Sequence, residues 1–518
     1  MPIRYLLCVL LCLSCGLSGC ASPPPKMPSQ ALPAATSSFG AAILARAATQ
    51  EGRSGFRLLP NGGEAFRARA ELARAAQQSL DLQYYIVNDG LSTRALVQEL
   101  LHAADRGVRV RVLLDDTSSD GHDYQIAVLA AHPNIQVRVF NPLHLGRSTG
   151  MTRSLGRLLD LSRQHRRMHN KLWLADNSVA IVGGRNLGDA YFGVENGLNF
   201  TDIDLLGVGP VAEQLGQSFD QYWNSALSKP IQQFVWRQPS TQALDELRTA
   251  LGDSLDDERR AQRQLYDRLM SYRSNPQLQT WLDELIWAHG QALWDAPSKI
   301  LARGVPDAQL LLTTQLQPAL QGVSEELMLI SAYFVPAEEG MAYLLERADA
   351  GVQIHLLTNS LEATDVPAVH GGYAPYRHAL LKHGIELFEL RRLPDQPPAY
   401  SLSGSSESSL HSKAVLFDRE KVFIGSFNFD PRSVLWNTEV GIVVDSPQLT
   451  EAVRTLTLEG MAPGVSYQVR LEPEDGPRQM IWLGEDQGRP YRLAREPGGL
   501  WRHFNAWLAK TVGLERML

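Results

Sequence analysis

An α/β protein built from two matching halves is predicted by three features of this 518-residue sequence. Short β-rich apolar runs alternate with helical stretches, which implies helices layered on sheet. One polar constellation occurs twice, at His169 and at His411, 242 positions apart (411 − 169). A helix-to-strand junction recurs at nearly the same offset, 244 (348 − 104): Ala104-Asp105-Arg106-Gly107-Val108 leads into Arg109–Leu114, and Ala348-Asp349-Ala350-Gly351-Val352 into Gln353–Leu357. Two halves related by a pseudo-two-fold axis would bring the two constellations together at their seam.

Along the chain, Arg4 precedes an apolar run from Tyr5 to Leu13, and Leu17-Ser18-Gly19-Cys20 follows. The run is far shorter than the roughly 20 residues that span a bilayer, and its charged, apolar, small order predicts a secretory signal over residues 1–19. All four cysteines, Cys8, Cys12, Cys15 and Cys20, lie here, so the remainder forms no disulfide and no thiolate metal site. A Pro/Ser/Ala-rich stretch over 20–40 reads as a flexible tether. The first domain is expected over 41–240, with strands at Leu80–Val87 and Arg109–Leu114. A helical connector is expected over 241–300: a polar helix from Leu251 to about Met270, then Leu278, Trp281, Leu282, Leu285 and Ile286 at helical spacing. Its tryptophans, Trp281, Trp287 and Trp294, read as core in preference to lipid contacts. The second domain is expected over 301–465, with strands at Leu327–Val335 and Gln353–Leu357. An extension over 466–518 has strand-like pieces and an amphipathic helix around Trp501 to Leu508.

Composition limits the function. With 44% hydrophobic residues the chain can furnish real cores, and its net charge of −7 becomes −8 without Arg4. Proteins that live on nucleic acid are usually basic, so nucleic acid is disfavoured, with Arg163, Arg166 and Arg167 left as a local basic patch. No Walker loop, Rossmann glycine pattern or zinc spacing occurs, and no metal or cofactor is expected.

The doubled constellation carries the chemistry. It reads His169-Asn170-Lys171, Asp176 and Gly183-Gly184-Arg185-Asn186, then His411-Ser412-Lys413, Asp418 and Gly425-Ser426-Phe427-Asn428, with identical internal spacings. Residues two apart on a strand share a face, so each His projects with its Lys. The apolar runs that follow predict two hairpins, Leu172–Leu174 with Val179–Val182 and Ala414–Phe417 with Val422–Ile424. Glycines after each second strand let the backbone approach closely and return Asn186 or Asn428 beside its own His-Lys pair. Two His, two Lys and two Asn without a carboxylate cluster suited to a metal match a phosphodiester. Lysines and amides hold its oxygens as phosphorus becomes five-coordinate, one imidazole attacks, and the other protonates the leaving alkoxide.

This pattern resembles the signature of the phospholipase D superfamily, His-x-Lys-x4-Asp-x6-Gly-Ser-x-Asn occurring twice, over most of the chain after about residue 60. The run Gly183–Phe192 is particularly similar to bacterial cardiolipin synthases of the C type. Gly184 departs from the pattern, standing where Ser is usual, and implies one fewer hydrogen bond near the phosphate; Ser426 is regular. The resemblance implies that His169, Lys171, Asn186, His411, Lys413 and Asn428 are catalytic, with Lys171, Lys413, Asn186, Asn428 and Ser426 holding substrate. His169 would form a phosphohistidine and His411 would act as general acid and then base, the reverse being open. Each His would have a carboxylate partner, the candidates being Asp202, exchangeable with Asp204, and Glu439, eleven residues beyond Asn428. Asp176 and Asp418 belong to the catalytic signature, although their place at the far strand ends reads as structural.

The implied activity is a phosphatidyltransferase that makes cardiolipin from phosphatidylglycerol, with phosphatidylethanolamine as donor. A phospholipid hydrolase, a nucleic-acid phosphodiesterase and a membrane scaffold with a dead site are the alternatives. Leu17–Cys20 resembles a bacterial lipobox, which implies a lipidated Cys20 and an extracytoplasmic body anchored to an inner or outer membrane. The need for a partner protein is open.

Overall fold

The computed structural model describes residues 26–118, 121–143, 165–195, 198–393, 407–472 and 479–511. The first half contributes strands β1 (Ser54–Leu59), β2 (Ser79–Tyr84), β3 (Arg109–Asp115), β4 (Ile135–Phe140), β5 (Leu172–Ala175), β6 (Val179–Gly183), β7 (Leu198–Thr201), β8 (Asp204–Val208) and β9 (Ser228–Pro230). The second contributes β10 (Ile286–Trp294), β11 (Glu326–Ser331), β12 (Gln353–Asn359), β13 (Glu386–Leu390), β14 (Glu407–Leu410), β15 (Lys413–Phe417), β16 (Lys421–Gly425) and β17 (Val440–Asp445). Three more, β18 (Ser466–Glu472), β19 (Gln479–Asp486) and β20 (Arg489–Leu493), follow.

Pairing repeats between the halves. In the first, β2, β3 and β4 run parallel, and the antiparallel ladder β2-β5-β6-β8-β1 continues the sheet. In the second, β11, β12 and β13 run parallel, and β11-β15-β16-β17-β10 continues it. Thus β10 occupies in the second half the place of β1 in the first, and the two strands pair with each other, Ser54 opposite Ala288. The sheet is therefore continuous across both halves.

Three expectations change here. Ile286, Trp287 and Trp294 lie on strand β10, so the connector over 241–300 is helical only in its first part, as Thr241–Ala261, Arg263–Leu269 and Leu278–Asp283. Hydrogen bonding to both β1 and β17 overrides the helical spacing. The boundary at 466 falls inside the second sheet, because β18 pairs with β13. Residues 26–40 of the expected tether are docked on the first half. Ala31 N–H donates to Asp220 at 2.7 Å, Ser29 N–H to Asn224 Oδ1 at 3.1 Å, and the Arg111 and Arg138 guanidiniums donate to the Ser29 and Met27 carbonyls at 3.1 and 2.5 Å. The helix Ser38–Ala48 then packs Ile43 into the first core. Residues 1–25, which include the expected signal and Cys20, lie outside the described residues.

Each motif hairpin turns through two left-handed residues, Asp176 and Asn177 (φ 46° and 51°) or Asp418 and Arg419 (φ 51° and 58°). Positive φ at both central positions is the type I′ geometry that matches strand twist. The aspartates also anchor the turns: Asp176 accepts the backbone N–H groups of Gln77, Gln78 and Ser79, and Asp418 those of Ser324, Glu325 and Glu326. Both stand at the opposite ends of β5 and β15 from the histidines. Their assignment to the catalytic set is therefore corrected: they lock each hairpin onto the start of its central strand. Asp176→Ala strands three backbone donors, and urea unfolding should show a loss of about 1–3 kcal/mol. Turnover per folded molecule should persist; its abolition at unchanged stability would contradict this role.

Candidate active site

His169 and His411 stand just before β5 and β15, where the halves meet, and the seam is made by exchanged backbone. His169 N–H donates to Thr438 O at 2.9 Å while Thr438 N–H donates to Arg167 O at 2.9 Å. His411 N–H donates to Thr201 O at 2.8 Å, and β14 runs parallel to β7. The middle residues of the motifs add to the seam: Thr438 Oγ1 donates to Asn170 Oδ1 at 2.7 Å and Ser412 Oγ to Thr201 O at 3.1 Å.

The residue after Thr438 is Glu439 and the residue after Thr201 is Asp202, so each crossing delivers a carboxylate to the other half's histidine. His169 Nδ1 lies 2.9 and 3.1 Å from the Glu439 oxygens, and His411 Nδ1 lies 2.8 Å from Asp202 Oδ2. A carboxylate only accepts, so each Nδ1 carries the hydrogen and each Nε2 keeps its lone pair. Asp204 is not the partner. It is ion-paired with buried Arg69 at 2.8 Å.

Lys171 Nζ donates to His169 O at 2.6 Å, and Lys413 Nζ donates to His411 O; both lysines are buried. Burial, then the two lysines, holds both imidazoles well below their usual range, and burial likewise lowers both lysines. Burial pushes Asp202 up to about 6 and Glu439 up to about 7. The imidazoles stand buried between lysines and carboxylates, and an added phosphate would tip them toward protonation, because a nearby anion favours the imidazolium. The surroundings differ: Arg432 further disfavours charge on His169 while the Ser426 backbone favours it, and Asp365 favours charge on His411.

Aromatic rings line the histidines. Tyr85 stands edge-on to His169 at 5.0 Å with Lys171 Nζ over its ring at 5.4 Å, and Tyr191 and Phe200 lie 5.2 and 5.1 Å from His411. The Asn186 amide donates to Tyr191 OH at 2.9 Å and accepts from Ile86 N at 3.2 Å, so it props the ring beside His411. Asn428 Oδ1 is buried without a protein partner, an open hydrogen-bonding valence. Ser426, expected to hold substrate, instead donates to Glu439 Oε2 at 2.5 Å, and Ser433 donates to Oε1 at 2.9 Å. The basic patch also dissolves: Arg166 donates inward to Ile300 O at 3.0 Å, Arg167 is buried 3.7 Å from Asp115, and Arg163 lies outside the described residues.

Two clamps escaped sequence reasoning. Asp115 accepts Met168 N–H at 2.9 Å, and Asn359 accepts Leu410 N–H at 2.8 Å, each immediately before a motif histidine. Their offset, 244 (359 − 115), is that of the repeated junction, which was the available signal.

A family model described as cardiolipin synthase, phospholipase D-like domain, matches residues 70–223 and 316–457. The chain belongs to this family. It is 38% identical to cardiolipin synthase C of Escherichia coli K12 over 487 residues, 93% of this chain and 99% of that one. It is 26% identical to cardiolipin synthase A of Pseudomonas aeruginosa PAO1, over 81% of this chain and 68% of that one. The fold is that of the crystal structure of phosphatidylserine synthase from Haemophilus influenzae Rd KW20, at TM-score 0.58 and 11% identity, covering 92% of this chain and 100% of that one. The chain is thus an enzyme of the phospholipase D phosphatidyltransferase class.

The departure of this cardiolipin synthase-like chain at Gly184 has a steric cause. A Cβ at Gly184 would lie 2.5 Å from both Asp202 oxygens. The halves are therefore matched as Ser426 with Glu439 and Gly184 with Asp202, and the hydroxyl, where present, donates to the carboxylate. Gly184→Ser restores the family motif yet should displace Asp202 from His411, lowering kcat about 10-fold or more by analogy with lost positioning groups. Unchanged or increased kcat in steady-state assay would contradict that geometry.

Proposed function

We propose that this protein is a lipid-anchored phosphatidyltransferase that makes cardiolipin from phosphatidylglycerol, with phosphatidylethanolamine as the donor. The observation that carries the reading is the pair of buried histidines, each held by a carboxylate from the opposite half and flanked by Lys171 and Lys413. The similarity to cardiolipin synthase C over 93% of this chain supports the substrate class.

In the reaction, Nε2 of neutral His169 attacks the donor phosphorus, the bond to the headgroup oxygen breaks, and protonated His411 supplies the proton to the departing alkoxide. His411, now neutral, takes the proton of the phosphatidylglycerol primary hydroxyl, whose oxygen attacks phosphorus and releases His169. Lys171 and Lys413 oppose the charge that builds on the non-bridging oxygens. Transfer wins over hydrolysis where the pocket excludes water and positions the alcohol, and confinement at a bilayer raises the acceptor's effective concentration.

The anchor is acylated Cys20, at the extracytoplasmic face of a bacterial membrane. Lys26 is already bound, its Nζ 2.9 Å from Asn224 O. Six residue steps at about 3.6 Å each give a leash of at most about 22 Å, so the body would be held close to its substrates.

With labelled phosphatidylethanolamine and phosphatidylglycerol in mixed vesicles, labelled cardiolipin and free ethanolamine should appear with little phosphatidic acid. Phosphatidic acid dominating at high phosphatidylglycerol, with any required partner protein present, would make the protein a hydrolase.

A further inference from the structure

The C-terminal helix Leu500–Thr511 turns its apolar side away from the protein. An amphipathic surface helix ordinarily buries that stripe. Here Leu500, Trp501 and Trp507 are 91, 70 and 57% exposed, and Phe504 and Leu508 are exposed with them. At 3.6 residues per turn these five fall on one arc of about 120°. Trp501 stacks on Phe504 at 5.5 Å, and Phe504 lies 5.9 Å from Trp507.

The opposite side does the docking. Arg502 donates to the carbonyls of Leu361 and Thr364 at 3.1 and 2.6 Å, and the backbone of Ala506 occupies the space that a Cβ on Gly371 would need. Glu496, just before the helix, is pinned by His370 at 2.6 Å and Arg377 at 2.7 Å. The helix is thus held firmly by small and polar contacts while its large apolar side chains stand free. Its seat adjoins the catalytic seam: Leu361, whose carbonyl accepts from Arg502, lies two residues beyond Asn359, which accepts Leu410 N–H at 2.8 Å just before His411.

Charge identifies what covers the stripe. From Arg489 to Lys510 the sequence carries five basic residues and one acidic, Glu496, in a chain of net charge −7. Glu496 is engaged inward, whereas Arg489, Arg492 and Arg495 are exposed, Arg492 reaching Glu472 at 3.4 Å. Arg495 shares a surface hollow with Trp482, Leu500 and His503. An apolar face rich in Trp and Phe with basic neighbours suits an anionic lipid interface. A second copy would set these arginines against themselves across a two-fold axis. Twelve residues make about 18 Å of helix, short of the ~30 Å hydrocarbon core, so the helix would lie in the interface plane.

We propose that this helix lays Leu500, Trp501, Phe504, Trp507 and Leu508 into the headgroup region of an anionic bilayer and so seats the mouth of the catalytic seam on it. The link to substrate rests on the phosphatidyltransferase reading; the docking does not.

The test uses the full chain with Cys20→Ser throughout, so that no acyl chain contributes, and compares it with Trp501→Gln/Trp507→Gln and with Arg489→Glu/Arg495→Glu. Co-sedimentation with phosphatidylglycerol/phosphatidylcholine vesicles should fall about 10-fold or more for both variants. Binding to pure phosphatidylcholine should fall only for the tryptophan pair. In vesicles that also carry phosphatidylethanolamine, turnover of long-chain lipid should fall in step, and turnover of short-chain phosphatidylethanolamine with short-chain phosphatidylglycerol, both below their micelle concentrations, should not. Equal partitioning of all three proteins, or loss of a dimer in ultracentrifugation with partitioning unchanged, would overturn the proposal. If none of them turns over short-chain lipid, the phosphatidyltransferase reading fails while the partitioning still decides the docking.

Discussion

The carboxylate exchange between halves is the constraint on which the rest depends. Glu439 of the second half holds His169 of the first, and Asp202 of the first holds His411 of the second. Neither half alone holds a motif histidine together with the carboxylate that pairs with it. The backbone crossings at Thr438 and Thr201 fix this exchange, and the continuous sheet through β1 and β10 fixes the crossings. Catalytic competence is in this way tied to the docking of the halves.

Burying two lysines, two carboxylates and two imidazoles is costly unless each is paired. The seam meets that requirement with hydrogen bonds from the signature's Ser426 and, outside the signature, from Ser433 on Glu439, Ile203 N–H on Asp202, and Asp295 on the Glu439 backbone. Asp115 and Asn359 clamp the chain before each histidine, while Asp176 and Asp418 clamp the far ends of the same hairpins. The motif strands are held at both ends, which keeps the histidines oriented in a buried site.

Local signals were legible in the sequence and distant ones were not. The motif hairpins and the parallel strands could be read because strand period and identical spacing are written within a few residues. Strand β10 was hidden because Leu278 to Ile286 also satisfy a helical period, and its partners β1 and β17 lie far along the chain. Residues 26–40 looked like a tether because Asp220 and Asn224, which bind them, are some 190 positions away. Asp202 and Asp204 could not be told apart by spacing; Arg69 decides between them by taking Asp204. Ser426 read as a substrate ligand because spacing places a hydroxyl near the histidine without saying which side it faces.

The exchange can be measured directly by mapping the covalent adduct after an alkaline quench, using a phosphatidyl donor with a p-nitrophenol leaving group that needs no protonation. The unaltered enzyme should carry the adduct on His169. Glu439→Gln, a change in the opposite half, should abolish it, whereas Asp202→Asn should still form it and hold it, because His411 can no longer activate the acceptor. An adduct on His169 that survives Glu439→Gln and disappears with Asp202→Asn would contradict the crossed pairing.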